Sequence, residues 1–311
     1  LLLKSLEPRR LRFMKLIQFV NEKIKLYFVG IKFTKLIEIN EERYLIFLKV
    51  DITKMLNRLN VEEKDLLEVE KRLQKMLNHA FGENVIFFSE NHILTRLDFK
   101  YDVKLEDKKS RELLFHLIEK QIKRYRHKDL VRWSKDKNGK PFKYETSQYH
   151  ENNSTTLIIY DKEKEREVNE EEVGFYKSVI RYELRLKNQH LNTKKRQGIS
   201  KKLSNYFSDE VRKEYYSKHV TPLVHKGDYY KLSEVDKIFD NSSLSKTKKV
   251  NIRNFLILIS QGDMNTPKKN LSRATYRSYL KECERLNINP ITIPKNMKGS
   301  PKYLKNPFQL L

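Results

Sequence analysis

Residues 94–105 read LTRLDFKYDVKL, and this stretch decides the fold because its apolar and charged residues alternate strictly. Alternate side chains of a β-strand point to opposite faces of a sheet. The apolar face carries Leu97, Phe99, Tyr101, Val103 and Leu105, and the opposite face carries Arg96, Asp98, Lys100, Asp102 and Lys104. The alternation therefore predicts a strand over residues 94–105 with one buried face and one polar face.

Two later segments repeat this pattern. Residues 179–187 (VIRYELRLK) alternate between apolar and polar side chains over most of their length, and in residues 155–162 (TTLIIYDK) Leu157 and Ile159 lie on the opposite face of a strand from Tyr160 and Lys162. The polar faces of these two segments carry Tyr160, Lys162, Arg181, Glu183 and Arg185. We expect the three strands to share one antiparallel sheet, so that a single polar face gathers these side chains.

The rest of the first part of the chain mixes strands with helical segments. Residues 24–50 predict two strands, and apolar residues at three- and four-residue steps predict helices over 61–81 and 110–123. Strands interrupted by helices indicate an α+β fold with a largely antiparallel sheet, whose apolar face is expected to bury both helices. We therefore assign residues 1–220 to a sheet-containing domain.

The charge of the chain points to a polyanionic partner. The 311 residues contain 65 Lys and Arg against 41 Asp and Glu, which gives a net charge of +24. Basic side chains placed on phosphates release counterions, so nucleic acid is the leading partner and an anionic membrane surface is the alternative. No run of about 18 apolar residues is present, which disfavours a membrane protein. The single cysteine excludes an internal disulfide and a cysteine-based zinc site, and the cytoplasm is the expected location.

Residues 221–311 differ in character from the rest of the chain. They predict helices over 232–239, 245–260 and 271–286, and they contain 17 Lys and Arg against 7 Asp and Glu. The last of these helices carries Arg273, Arg277, Lys281 and Arg285 at four-residue steps, a stripe that can lie along DNA. A solvated basic helix is the alternative interpretation. The segment is therefore predicted to be a small basic helical domain with a DNA-binding or accessory role.

The polar face of the predicted sheet contains residue types suited to chemistry on phosphates. Asp98 and Glu183 are hard oxygen ligands for Mg²⁺ or Mn²⁺, and Tyr160 is a candidate nucleophile. The basic residues of this face, which can hold phosphate oxygens, are Arg96, Lys162, Arg181 and Arg185. The alternative interpretation is a solvated sheet face with ordinary cross-strand ion pairs.

Three motifs on these strands resemble the gene II/X family of phage and plasmid replication proteins. They are residues 96–98 (RLD), 157–162 (LIIYDK) and 181–185 (RYELR), and they occur in the family's order and with similar spacing. Residues 273–279 (RATYRSY) and 291–295 (ITIPK) are also similar, so the resemblance covers roughly residues 91–308. Plasmid initiators of the Rep-trans type share the same three-motif pattern, and the chain resembles them as well.

The resemblance implies a rolling-circle replication initiator built on the relaxase-like sheet of the HUH superfamily. Such an enzyme is a site- and strand-specific DNA endonuclease that nicks and rejoins one strand at an origin. In this chain the family's covalent tyrosine matches Tyr160, Lys162 follows it in the motif, and the motif carboxylates match Asp98 and Glu183. The reaction leaves a 5′-phosphotyrosine link and a free 3′-hydroxyl primer. The implied partners are duplex and single-stranded origin DNA, a host helicase and a DNA polymerase, in the cytoplasm of a bacterial host cell.

One departure from the wider superfamily concerns the metal. Its His-x-His pair is absent, since no two of the eight histidines stand two residues apart. The third metal ligand therefore stays open, with His92 and His150 as candidates. The alternative function is a non-catalytic DNA-binding regulator or a decayed initiator, in which Tyr160 is idle. An RNA-binding protein would explain the charge but not the three motifs.

Overall fold

The structure, a computed structural model, describes residues 2–25, 27–40, 43–83, 86–120, 124–125, 128–131, 133–135, 138–143, 146–297 and 299–308. The chain divides into two compact units. The first unit comprises Leu1–Leu94 and Ser200–Asp209, and the second comprises Thr95–Ile199 and Glu210–Leu311. The first unit is therefore discontinuous in sequence.

The first unit combines helices with a β-hairpin. Its elements are α1 (Leu2–Lys25), β1 (Ile31–Asn40), β2 (Arg43–Val50), α2 (Ile52–Leu56), α3 (Leu66–Phe81) and α4 (Phe88–Asn91). β1 and β2 pair antiparallel, although strand structure begins at Ile31 because residue 24 still lies in α1. Asn21 of α1 ties this helix to β1, since its side-chain amide bonds the N–H and the carbonyl of Phe33, each at 2.9 Å.

One expectation about packing needs correction. α3 matches the helix predicted over 61–81, but it belongs to the first unit and not to the unit of the sheet that it was expected to cover. The reason is that an amphipathic pattern predicts a buried stripe without identifying the partner of that stripe. Val69, Leu73 and Met76 form this stripe and are buried.

The second unit is built on a six-stranded antiparallel sheet. Its strands are β3 (Leu97–Lys104), β4 (Arg124–Tyr125), β5 (Lys128–Val131), β8 (Ser147–Glu151), β9 (Thr155–Asp161) and β10 (Val179–Leu186). Their order across the sheet is β3-β10-β9-β8-β5-β4, and a separate pair is formed by β6 (Trp133–Lys135) and β7 (Pro141–Lys143). The three strands predicted from alternation are β3, β9 and β10, which lie side by side. The predicted α+β fold with an antiparallel sheet is therefore confirmed.

The remaining elements of the second unit follow the central strands. They are α5 (Lys108–Ile118), α6 (Lys162–Val168), α7 (Asn188–Arg196), α8 (Asp209–His219), α9 (Thr221–Val224), β11 (Tyr229–Tyr230), α10 (Leu232–Asp240), α11 (Lys246–Gln261), α12 (Arg273–Arg285) and β12 (Tyr303–Leu304). α5 lies within the helix predicted over 110–123, of which residues 121–123 lie outside the described part of the chain. α10, α11 and α12 correspond to the three helices predicted in the tail.

The register of β10 separates a core face from a polar face. Leu184 lies opposite Phe99 on one side and opposite Leu157 on the other, and all three are buried. α8 covers part of this apolar face, because the ring of Tyr215 lies 5.3 Å from that of Phe99. α5 covers another part, and the Gln148 amide of β8 donates to one of its carbonyls at 3.3 Å. Helices thus pack on the apolar face and leave the opposite face for polar side chains.

Residues 221–311 belong to the same compact unit as the sheet. The ring of Phe308, near the end of the chain, lies 3.9 Å from that of Tyr182 on the core side of β10. Within this segment the carboxylate of Asp228 accepts hydrogen bonds from the Asn287 amide at 2.9 Å and the Tyr303 hydroxyl at 3.0 Å. The division into domains at residue 220 stays a prediction, because compactness does not test independent folding.

The predicted strand over 155–162 ends one residue early. Asp161 closes β9 and caps α6, since its carboxylate accepts the Lys164 N–H at 3.0 Å. An aspartate at this position stabilises the start of a helix, so Lys162 is the first residue of α6.

Within the part of the chain that the structure describes, no helix has both the length and the apolar character that crossing a bilayer requires.

Candidate active site

Three adjacent strands bring polar side chains together on the face opposite the core. Asp98 of β3 lies directly opposite Arg185 of β10, and Tyr160 of β9 lies directly opposite Arg181 of β10. Glu183 lies between these two arginines along β10 and points to the same face. The register thus brings Asp98, Glu183 and Tyr160 into one cluster.

Two arginines neutralise the two carboxylates of this cluster. Arg96 donates from Nε to Asp98 Oδ1 at 2.8 Å, and its Nη2 contacts Asp98 Oδ2. Arg185 donates from Nη2 to Glu183 Oε1 at 2.6 Å, and its Nε lies 3.4 Å from Asp98 Oδ1. Burial by itself raises a carboxyl pKa, but the hydrogen bonds and charge of Arg96 hold the pKa of Asp98 below its ordinary value. Asp98 is therefore ionised at neutral pH.

The Tyr160 hydroxyl contacts the other oxygen of Glu183. It donates to Glu183 Oε2 at 3.4 Å, so the two oxygens of this carboxylate face different partners. Burial, followed by the negative charge of Glu183, raises the pKa of Tyr160 well above its ordinary value. Tyr160 is therefore a neutral phenol at physiological pH, and it needs a proton acceptor before it can act as a nucleophile.

Lys162 lies among aromatic rings at the start of α6. Its Nζ is 5.8 Å from the ring centroid of Tyr160 and 5.4 Å from that of Tyr176, and it forms an ion pair with Glu165. A lysine at these distances interacts with the ring faces and adds positive charge next to the phenol. The position of Lys162 follows from α6 rather than from the alternation of β9.

Tyr176 is a member of the site that the sequence did not reveal. It is buried at the end of a short 3-10 helix, Gly174–Tyr176, just before β10. The guanidinium carbons of Arg166 and Arg181 lie 4.9 Å and 5.1 Å from its ring centroid. A pair of aromatic residues shortly before a strand is too common a signal to have indicated this arrangement.

Arg181, which the sequence assigns to phosphate binding, is held in a buried ion pair. Its Nε and Nη2 donate to the two carboxylate oxygens of Asp102, both at 2.6 Å. The two side chains are only 3% and 6% exposed. Because Asp102 lies directly opposite Arg181 in the register, the pair links β3 to β10 beneath Tyr176.

The sequence leaves two histidines as candidates for a third metal ligand. In the structure, His92 has other hydrogen-bond partners and His150 lies on the other face of the sheet. His92 belongs to the first unit, where Nδ1 lies 2.6 Å from the Phe88 carbonyl and Nε2 accepts the Leu203 N–H at 2.8 Å. His150 of β8 pairs with Leu157, so it lies on the apolar face of the sheet, opposite to that of Glu183. Both ring nitrogens of His92 are therefore used to hold the chain.

The two carboxylates have the chemistry that a divalent ion requires. Among the described residues, no group of three or more His, Cys, Asp or Glu side chains is placed to hold a metal ion by itself. Mg²⁺ commonly takes one or two protein carboxylates and completes its coordination with water and substrate phosphate. Asp98 and Glu183, both touched by Arg185, are close enough together to fit this mode of binding.

The basic residues of α12 form an exposed surface away from the core. Arg273 and Arg277 are exposed, and the Ser272 hydroxyl caps the helix by accepting the Thr275 N–H at 3.1 Å. Arg285, at the other end of the helix, pairs with Glu282 at 2.8 Å. Lys281 is exposed as well, so exposed positive charge runs along most of α12.

Neither the models of known protein families nor the curated protein sequences match this chain. Its function is therefore inferred from the chemistry of the site and from the motifs on the strands that form it.

Proposed function

We propose that this protein is a rolling-circle replication initiator, an endonuclease that nicks one DNA strand by tyrosine attack. The observation that carries the proposal is the contact of the Tyr160 hydroxyl with Glu183, beside Asp98 and two arginines on one sheet face. A nucleophile, a proton acceptor and cations for a phosphate lie within one cluster. The resemblance of the same three strands to the gene II/X family supports the proposal. On this interpretation the sheet is relaxase-like and of the HUH type.

The proposed reaction is an in-line transesterification. The Tyr160 oxygen bonds to the phosphorus of the scissile phosphodiester while the bond from phosphorus to the 3′ oxygen breaks. Glu183 Oε2 accepts the phenol proton and returns it, through solvent, to the departing 3′ oxygen. The products are a 5′-phosphotyrosine link and a free 3′-hydroxyl, and reversal of the step rejoins the strand.

The other residues of the cluster support this step in different ways. Arg96 and Arg185 are forked cations that match the geometry of a phosphate group. Lys162 adds positive charge beside the tyrosine ring. Asp98 and Glu183 would hold Mg²⁺ or Mn²⁺, which, when bound, offsets the charge that develops on the phosphate.

The proposed partners follow from the product and from the charge of the chain. The 3′-hydroxyl is a primer for a DNA polymerase, and a helicase is needed to displace the nicked strand. The exposed Arg273 and Arg277 of α12 are proposed to hold the phosphate backbone of duplex origin DNA.

The covalent link provides the test of this proposal. Incubation with Mn²⁺ and a random-sequence pool of single-stranded DNA should give an adduct that survives a denaturing gel. Mass spectrometry of the digested adduct should locate the 5′ phosphate on Tyr160. Tyr160→Phe should give no adduct, because it keeps the ring but has no nucleophile. Tyr149→Phe is the matched control, since Tyr149 is the adjacent tyrosine on the same face of β8.

Two further variants separate chemistry from binding. Asp98→Ala and Glu183→Ala should abolish the adduct while DNA binding, followed by fluorescence anisotropy, is largely retained. Full activity of both variants would show that these carboxylates are structural. An adduct in Tyr160→Phe that is lost in Tyr149→Phe would identify Tyr149 as the nucleophile.

A non-catalytic DNA-binding regulator is the second candidate function. It is favoured by one observation, namely that both carboxylates already carry an arginine partner, as they would in a purely structural ion-pair cluster. In that case the protein should bind DNA with a strong dependence on salt but form no adduct with the random pool.

A further inference from the structure

The two arginines of the cluster lie on the solvent side of the two carboxylates. The side chains of Arg96 and Arg185 are 49% and 27% exposed, whereas those of Asp98 and Glu183 are 17% and 9% exposed. Both arginines touch both carboxylates, since Arg96 Nη2 also lies 3.7 Å from Glu183 Oε1. The guanidinium groups therefore form a shared cover over the carboxylate pair.

This cover occupies the oxygen atoms that a metal ion would use. Asp98 Oδ1 and Oδ2 both accept from Arg96, and Glu183 Oε1 accepts from Arg185. The remaining oxygen, Glu183 Oε2, faces Tyr160. A divalent ion approaching these carboxylates meets two positive charges as well as occupied acceptors, so it must displace or share the guanidinium contacts.

The displaced guanidinium groups are well suited to a second anion. A guanidinium binds phosphate through two parallel N–H groups in the same way as it binds a carboxylate. The side chain of Arg96 is half exposed, so it can leave the carboxylate without uncovering the core. A DNA phosphate would take these donors, and the carboxylates would then be open to the metal.

We propose that Arg96 and Arg185 form an exchangeable guanidinium cover, so that a divalent metal ion and a DNA phosphate bind to this site cooperatively. Without DNA, the arginines compete with the metal for Asp98 and Glu183. With DNA, they transfer to the phosphate and the metal binds to the carboxylates. The inference rests on the proposed function for the identity of the anion and for the metal site at Asp98 and Glu183. It makes the metal affinity of the protein a property that DNA controls.

The test is a metal titration in which no chemistry takes place. Binding of Mn²⁺ to Tyr160→Phe is measured from the electron paramagnetic resonance signal of free Mn²⁺, with and without a short oligothymidylate, and protein-free DNA is subtracted. DNA should tighten Mn²⁺ binding by a factor within about 5 to 150, the usual range for coupling between two sites. By reciprocity, Mn²⁺ should tighten DNA binding by the same factor.

The arginine variants identify the cause of the coupling. In the Tyr160→Phe background, Arg96→Gln should bind Mn²⁺ more tightly than its parent in the absence of DNA, and the effect of DNA should shrink. Arg253→Gln is the matched control, because it also removes one arginine from an arginine–aspartate contact but lies on α11. It should change neither the Mn²⁺ affinity in the absence of DNA nor the effect of DNA on that affinity. Asp98→Ala should remove the high-affinity Mn²⁺ site under both conditions.

Two results would overturn the inference. One is an Arg96→Gln variant that binds Mn²⁺ no more tightly than its parent without DNA. The other is equal Mn²⁺ affinity with and without DNA in a protein that retains Asp98 and Glu183. Either result can occur in a protein that forms the Tyr160 adduct, so the nicking proposal would then stand while the cover is rejected. Coupling in a protein that forms no adduct would support the cover and reject the nicking reaction.

Discussion

The ion pair between Asp102 and Arg181 allows a quantitative test of how the polar face is held together. Asp102→Ala leaves a guanidinium charge in a place where its side chain is only 3% exposed. An uncompensated buried charge of this kind lowers the free energy of unfolding by about 3–5 kcal/mol. In a domain of roughly 200 residues each kcal/mol lowers the melting temperature by about 2–4 °C, so the midpoint should fall by on the order of 10 °C.

Thermal unfolding followed by circular dichroism, with urea midpoints alongside, measures this loss. The double variant Asp102→Leu/Arg181→Met removes both charges and should recover most of the stability, because no buried charge then lacks a partner. Glu68→Ala is the matched control. Glu68 and its partner Arg72 are each about half exposed. Loss of this ion pair should therefore lower the free energy of unfolding by no more than about 1 kcal/mol.

An Asp102→Ala variant that is no less stable than the control variant would show that this ion pair does not hold the two strands together. A double variant as unstable as the single one would show the same. An Arg181→Met variant that keeps its stability but loses affinity for DNA would support the phosphate-binding role that the sequence predicts for Arg181.

Three further predictions concern pH, the backbone and DNA. Burial is the main cause that lowers the pKa of His92, so its stabilising contribution is present above about pH 6.5 and is lost as the pH falls from there through the lowered pKa. Protection of the segment it bonds against amide exchange, measured relative to the intrinsic exchange rate at each pH, should therefore fall at low pH, but not in His92→Gln. Gly227→Ala should lower the melting temperature more than Gly198→Ala, because both glycines have positive φ but only at Gly227 would a Cβ lie 2.4 Å from a backbone carbon. Arg277→Gln should reduce the salt slope of DNA binding, measured by fluorescence anisotropy, by about 1, whereas Arg285→Gln, which removes an arginine already paired with a glutamate, should leave it unchanged.

Alternation along the strands was sufficient to predict which side chains share a face. Leu184 and Leu157 are in the core, whereas Glu183 and Tyr160 are on the polar side. This follows because successive side chains of a strand point to opposite faces of the sheet. The partners of these side chains were not predictable in the same way. Alternation fixes the face but not the register between strands, and the register decides which charges meet. The pairing of Arg181 with Asp102 is a result of that register.

Residues outside the regular strands were the other source of error. Lys162 was assigned to the polar face of β9, but capping by Asp161 starts a helix and takes its side chain off the strand pattern. Tyr176 ends a three-residue 3-10 helix, too short to show a period in the sequence, although its ring lies near three basic side chains. Local capping chemistry and turn geometry depend on single residues, and a pattern averaged over many residues does not detect them.

A single truncation of the gene cannot yield the complete first unit. The backbone passes from one unit to the other after residues 94, 199 and 209. Residues 200–209 are held by the hydrogen bond from the Leu94 N–H to the Lys201 carbonyl and by that from the Leu203 N–H to His92. A truncation before Thr95 would leave residues 200–209 on the fragment that carries the sheet, without their hydrogen-bond partners in the first unit. The first unit should therefore be expressed by joining residues 1–94 to residues 200–209 through a linker, or by splitting the chain and co-expressing the parts.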